Sequence, residues 1–161
     1  YQTLTGAGDS FDLRMFGMYA MESMRLEKCY LGWKSEMNLH HTPLETPVAW
    51  TIKWDKNFIG KSGLEKQRAT GAPRQLVCMT VAAEDADPWG YNPIFNGDEM
   101  VGMTSSGGYG HRVGKSIALG YVPQGLASPG TQLAVEVLGK KLAAQVVTMP
   151  LYDPENKRMK T

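Results

Sequence analysis

The spacing of apolar positions changes character near Pro73. Before it, residues 10–24 (SFDLRMFGMYAMESM) place Phe11, Met15, Met18 and Tyr19 at helical spacing, with Leu13, Phe16 and Ala20 beside them. The stretch is apolar over most of its circumference, which predicts a helix buried between layers. Asp9 reads as its N-cap, with Asp12 favouring the positive helix start. Its methionines read as core filler rather than a cofactor box. Pro43 and Pro47 then forbid a continuous helix, which predicts a long ordered loop. A loop of that length inside a compact domain usually carries function. Residues 50–56 (WTIKWDK) alternate and predict a strand. Residues 60–71 (GKSGLEKQRATG) predict a short basic helix closed by Gly71.

After Pro73 the period becomes two. Residues 74–82, 99–106, 116–122, 132–139 and 141–149 are short strand-like runs separated by Gly, Pro, Asn and Asp. Asn96-Gly97-Asp98 and Gly139-Lys140 are hairpin turn signals. Five or more strands at this spacing predict a small barrel or sandwich, of which an antiparallel β-barrel is the expectation. The expected fold class is therefore α+β. Residues 1–70 form a helix, a long loop and strands, and residues 71–161 form the barrel. The last residues (PLYDPENKRMKT) are polar and read as a surface arm.

Composition narrows the partners. Hydrophobic residues make up 42% and charged residues 20%, the balance of a soluble domain with a real core. A net charge of +1 offers nothing to a nucleic-acid backbone, and no apolar run reaches membrane-spanning length. The chain opens on Tyr1 with no cleavage context before it, so it reads as a piece of a longer polypeptide. Cys29 and Cys78 read as reduced, buried thiols. They fall in different expected parts of the fold, which predicts that they stay unpaired.

Several apparent motifs dissolve on inspection. The GK-S runs at 59–62 and 113–116 lack the earlier glycine of a P-loop, because Asp55 and Tyr109 stand there. Ser105 to Gly110 is glycine-rich without dinucleotide spacing and reads as a close-packed bend in the barrel. His40, His41 and His111 have no further ligands at metal-binding spacing. Arg25 is different. It directly follows the apolar helix, and a buried guanidinium needs an anionic or strongly polar partner. That partner is either a structural carboxylate, Glu22 or Glu36, or a ligand. Trp33, Trp50 and Trp54 crowd the same region, and an aromatic face beside an arginine suits a flat heterocycle. Ordinary packing is the plainer reading of each.

These residues carry a family resemblance. Met24 to Leu64 resembles the glycine cleavage T-protein (aminomethyltransferase) family in its R-L-E, T-P-x-E, aromatic and F-x-G-K-x-x-L order. Thr104 to Val122 resembles the T-S-G…G-K-S-I-A-x-x-Y-V signature of that family's C-terminal barrel. The D-P-x-N-K-R ending (residues 153–158) is similar to the branch that forms the tail of FAD-dependent dimethylglycine and sarcosine dehydrogenases. The resemblance implies that residues 1–70 are the C-terminal part of a folate-binding domain, followed by a T-protein-type barrel. It implies one-carbon transfer to tetrahydrofolate, with Arg25 and Trp50 as folate-binding residues. The family's catalytic aspartate lies upstream of the matching region, so no catalytic residue is expected here, and the folate site is partial. FAD would belong to an N-terminal region of the parent. The implied partners are folate and the remaining domains of the same polypeptide. Phe11, Phe16, Met18 and Met21 would lack cover and favour self-association. The expected location is cytoplasmic, or the mitochondrial matrix in a eukaryote. A glycine cleavage aminomethyltransferase and a non-catalytic barrel module are the alternatives. An iron–sulfur-assembly branch with a K-G-C-Y-x-G-Q-E motif fits poorly, because the glycine before Cys29 and the G-Q-E ending are missing.

Overall fold

The computed structural model describes residues 1–160, and for Met159 only the backbone. Helices α1 (Gln2–Gly8), α2 (Met18–Glu27) and α3 (Lys61–Thr70) precede six strands. These are β1 (Arg74–Val81), β2 (Pro93–Asn96), β3 (Glu99–Gly110), β4 (Lys115–Pro123), β5 (Gln132–Val137) and β6 (Lys140–Val147). They close into an antiparallel barrel in the order β1-β4-β3-β2-β5-β6. The expected α+β class with a small antiparallel barrel is what the chain adopts.

The barrel follows from period-two burial. Along β5, Leu133, Val135 and Val137 are buried while Gln132, Ala134 and Glu136 are not. These residues point inward with Val77, Met79, Ile94, Ala118, Val122 and Val146 to fill the interior. Closure removes the open edges that would otherwise template aggregation. The hairpin between β5 and β6 turns at Leu138 (φ 49°) and Gly139 (φ 76°), the positive pair that matches strand twist. Strand β2 was not legible in the sequence. It is four residues long, opens on a proline and buries Ile94 alone fully, too little for a period to show.

Strand β4 is buried on both faces from Ser116 to Val122. Its outward residues Ile117, Leu119 and Tyr121 join Leu26, Cys29, Leu76 and Cys78 in a second core outside the barrel wall. This outer core fastens the N-terminal part to the barrel. The glycine-rich run is not a bend. It lies within β3, past an irregularity in pairing between Thr104 and Ser106. There a Cβ on Gly107 would stand 2.6 Å from the carbonyl oxygen of Pro88, so only glycine permits the approach.

Three expectations are corrected. The helix expected over residues 10–24 forms only from Met18, where α2 begins; before it come a 3-10 turn at Asp9–Phe11 and non-helical residues 12–17, while α1 lies wholly upstream. Asp12 is left-handed (φ 55°), and Gly17, not Asp9, precedes the second helix. Nor is this region buried: in α2 only Leu26 and Glu27 are, and Phe11 is 84% exposed. Residues 50–56 form no strand but a 3-10 turn (Ala49–Thr51) and further turns. A strand needs a neighbouring edge, and the closed barrel leaves none. The polar tail is not a free arm. Lys28 Nζ donates to the Asp153 carbonyl (2.7 Å) and to Asn156 Oδ1 (2.6 Å), and the Tyr152 N–H donates to the Glu27 carbonyl.

Candidate functional site

The last turn of α2 carries three consecutive side chains, Arg25, Leu26 and Glu27, about 100° apart. Leu26 enters the outer core. Glu27, 2% exposed, accepts hydrogen bonds from the backbone N–H groups of Arg112 and Val113, where the β3–β4 hairpin turns. Arg25 points to the loop that follows. Its Nε donates to Glu22 (2.6 Å), and its Nη1 donates to Glu36 (3.0 Å) and to the Tyr30 carbonyl (3.3 Å). The R-L-E run thus divides its work: one side chain for the loop, one for the core, one for the hairpin.

Glu36 is fully enclosed. Its Oε2 accepts from the Gly32 N–H (2.7 Å), Ser35 Oγ (2.9 Å) and Arg25, and its Oε1 accepts from Ser105 (2.7 Å) and Ser106 (2.5 Å) on β3. Burial pushes the carboxyl up. The bonds from Ser106, Gly32 and Ser105 and the charge of Arg25 more than reverse this, leaving it below its ordinary value. Sequence reasoning placed Glu36 only as one of two partners for Arg25 and missed its role as the tie between loop and barrel. The paired serines in an otherwise apolar strand were the available signal.

The T-P-L-E run builds a second anchor. Glu45, also buried, accepts from the Thr42 N–H (2.8 Å) and hydroxyl (3.2 Å), and faces Arg74 Nε at 3.4 Å. Beside it the His41 ring stacks on Tyr121, centroids 3.6 Å apart and planes 8° from parallel. The Tyr121 hydroxyl donates to the Glu36 carbonyl (2.7 Å). Burial, then the charge of Arg74, lowers the His41 pKa against the opposing pull of Glu45. Nothing in the sequence announced this stack.

Arg25 and Trp50 do not share a cavity. Trp50 is 78% exposed and borders a cavity of about 440 Å³ with Cys29, Tyr30, Met37 and Met149. Arg25 is not among its walls. It stands behind them, held through the Tyr30 carbonyl, with its side chain 15% exposed. Its Nη2 makes no hydrogen bond to the described residues. A second cavity of about 450 Å³ lies across the loop, where Ser35, His41, Arg74 and Tyr121 meet β3. Trp54 carries Arg68 over its ring (5.0 Å), so it serves local packing.

The site region is thus a closed barrel joined through an outer core and buried carboxylates to the end of a helix. Residues 74–153 match the family described as the glycine cleavage T-protein C-terminal barrel domain, and residues 1–56 match the GCVT N-terminal domain. The chain belongs to the glycine cleavage T-protein family. The mitochondrial dimethylglycine dehydrogenase of Mus musculus is 40% identical over 160 residues, which cover 98% of this chain and 18% of that protein. The aminomethyltransferase of Rippkaea orientalis is 36% identical over 143 residues, 88% of this chain and 38% of that protein. The crystal structure of glycine cleavage system aminomethyltransferase T from Bartonella henselae aligns with a TM-score of 0.86 at 25% identity, covering 95% of this chain and 44% of that one. The chain therefore spans less than half the length of each. No helix among the described residues is long and apolar enough to cross a membrane.

Proposed function

We propose that this chain is the C-terminal wall of a tetrahydrofolate-dependent one-carbon transfer domain in a demethylating dehydrogenase of the dimethylglycine or sarcosine type. Residues 1–70 would complete a folate-binding domain and residues 71–161 the barrel. The observation that carries the reading is Arg25. Two carboxylates and a carbonyl hold its guanidinium in one orientation and leave Nη2 available, which is a pre-positioned donor for a carbonyl or carboxylate. The exposed indole of Trp50, on a cavity that Arg25 does not line, offers a separate flat face for a ring. With no catalytic residue assigned to this chain, its role is to bind and orient. The FAD that oxidises the methylamine would be held elsewhere in the parent, and in a eukaryote the parent would work in the mitochondrial matrix. The chain alone should bind folate weakly, because losing one buried charged contact from the upstream domains costs about 2–5 kcal/mol.

The test is Arg25→Ala in the full-length parent. Glu36 keeps four other donors, so the fold should persist. Methylene-tetrahydrofolate formation should fall at least tenfold while stopped-flow flavin reduction by the amine stays nearly unchanged. Equal loss of both, or loss of neither, would make Arg25 purely structural. A glycine cleavage aminomethyltransferase is the second reading, favoured by the TM-score of 0.86 to aminomethyltransferase T. A parent that makes methylene-tetrahydrofolate without any bound flavin would decide for it.

A further inference from the structure

The two cysteines of this chain, 49 positions apart, are neighbours. Cys29 ends the turn after α2 in a left-handed conformation (φ 51°), and Cys78 lies in the middle of β1. Both belong to the outer core, packed with Leu26, Leu76 and Leu119, and each thiol perturbs the titration of the other. The expectation that they lie apart, in different parts of the fold, is therefore wrong in its reason, although both thiols are free. Their surroundings differ. Cys78 is wholly enclosed, whereas Cys29 is 8% exposed and borders the open cavity beside Tyr30 and Trp50.

We propose that Cys29 and Cys78 are an oxidisable pair, in which peroxide entering through that cavity converts the two thiols into a disulfide that staples the loop after α2 to the barrel. The Cys29 sulfur attacks one peroxide oxygen. The O–O bond breaks, Cys29 becomes a sulfenic acid, and the other oxygen leaves as hydroxide, which takes up the proton lost by the thiol. The Cys78 sulfur then attacks the Cys29 sulfur, the S–O bond breaks, and the oxygen departs as water with the Cys78 proton. Two thiols and one hydrogen peroxide yield one disulfide and two waters.

The environment assigns the roles. The hydrogen bond from Cys78 lowers the Cys29 pKa, burial opposes it, and the Leu151 N–H assists. The same contact, with burial, raises that of Cys78. Cys29, which borders the cavity, is the attacking thiol, and the wholly enclosed Cys78 the resolving one. Shared membership of the outer core places both thiols on the same side of the barrel wall. The rest of the second core ensures that a loop carrying Tyr30 and Met37 would be tied to β1 without crossing the barrel.

Hydrogen peroxide titration of the protein, followed by alkylation and intact mass measurement under non-reducing conditions, tests this. The expected result is a monomer two hydrogens lighter, a Cys29–Cys78 cross-linked peptide on digestion, and recovery with a dithiol reductant. In Cys78→Ala a dimedone adduct should collect on Cys29, and in Cys29→Ser neither product should form at the same peroxide dose. An inert protein, a disulfide-linked dimer, or Cys29 driven to the sulfinic acid while Cys78 stays alkylatable would each overturn the proposal. The wild-type measurement stands even if either variant fails to fold. The reading is independent of the folate assignment.

Discussion

Two stretches of similar hydrophobicity meet opposite fates. In the barrel, Met79, Ile94, Ala118, Val122 and Val135 are fully enclosed. In residues 1–21, Phe11, Phe16, Met18 and Tyr19 stand mostly in solvent. Local pattern does not separate them. The barrel strands supply one another's cover, because β1 to β6 close on themselves within 74 residues of chain. The first helices have no such partner. Of the two helices, α2 is pinned over its C-terminal half, by Ser23 Oγ donating to the Tyr109 carbonyl, by Leu26 and Glu27, and by the Arg25–Glu36 pair. Burial is thus a property of what the surrounding chain provides, and a run of apolar residues states only a demand for it.

The largest test strikes the tie between the two regions. Glu36→Ala removes the acceptor of five donors and leaves Arg25 without its buried partner, which should cost about 3–5 kcal/mol. Calorimetry should show a lowered melting temperature, and limited proteolysis should then cut between residues 28 and 42. An unchanged melting temperature would mean that the loop is held by something other than this carboxylate. Next comes the barrel itself. Ile94→Ala opens a cavity at a site with no exposure and should cost about 2–5 kcal/mol by chemical denaturation. A loss below 1 kcal/mol would show that the interior collapses readily and is less tightly packed than its burial implies.

Smaller effects follow from titration. His41 has a folded pKa below its ordinary 6.5, so the unfolded chain takes up this proton first as pH falls. Its contribution is complete above 6.5 and is lost as pH drops toward the folded value. Glu36 has a folded pKa below 4.5, so its contribution is complete above 4.5 and lost only as pH falls through that lower value. Melting curves should therefore show one modest decline between pH 7.5 and 5.5 that His41→Gln reduces, and a second, steeper one below pH 4.5 that it does not touch. A decline in the upper window identical in the variant would remove His41 from the account. The smallest effect on stability should come from Phe16→Ser, within about 0.5 kcal/mol, since the ring is already in water. Light scattering should nonetheless show weaker self-association than the parent chain. A strict monomer in both proteins would mean that the exposed face does not self-associate.

Much of this molecule was legible before folding. The alternation of β5 and β6, the apolar run of β1, the turn residues Gly97 and Gly139, and the Gly71 cap of α3 act over two to eight residues, and their chemistry is local. A barrel could be inferred because the last half of the chain contains little else. Arg25 could be singled out because a cation after an apolar helix needs a partner somewhere.

What local pattern could not decide was which partner. Glu36 is eleven residues from Arg25 and about seventy from Ser105 and Ser106, and only closure of the barrel brings all four together. The His41–Tyr121 stack and the Cys29–Cys78 contact are of the same kind. The helix expected over residues 10–24, which forms only from Met18, and the strand that never formed at residues 50–56 err in the opposite direction. There the local pattern asked for cover and for a neighbouring edge, and the folded chain supplied neither. Propensity is set by neighbours in sequence. Hydrogen-bond satisfaction and burial are set by neighbours in space, and those exist only after the strands have closed.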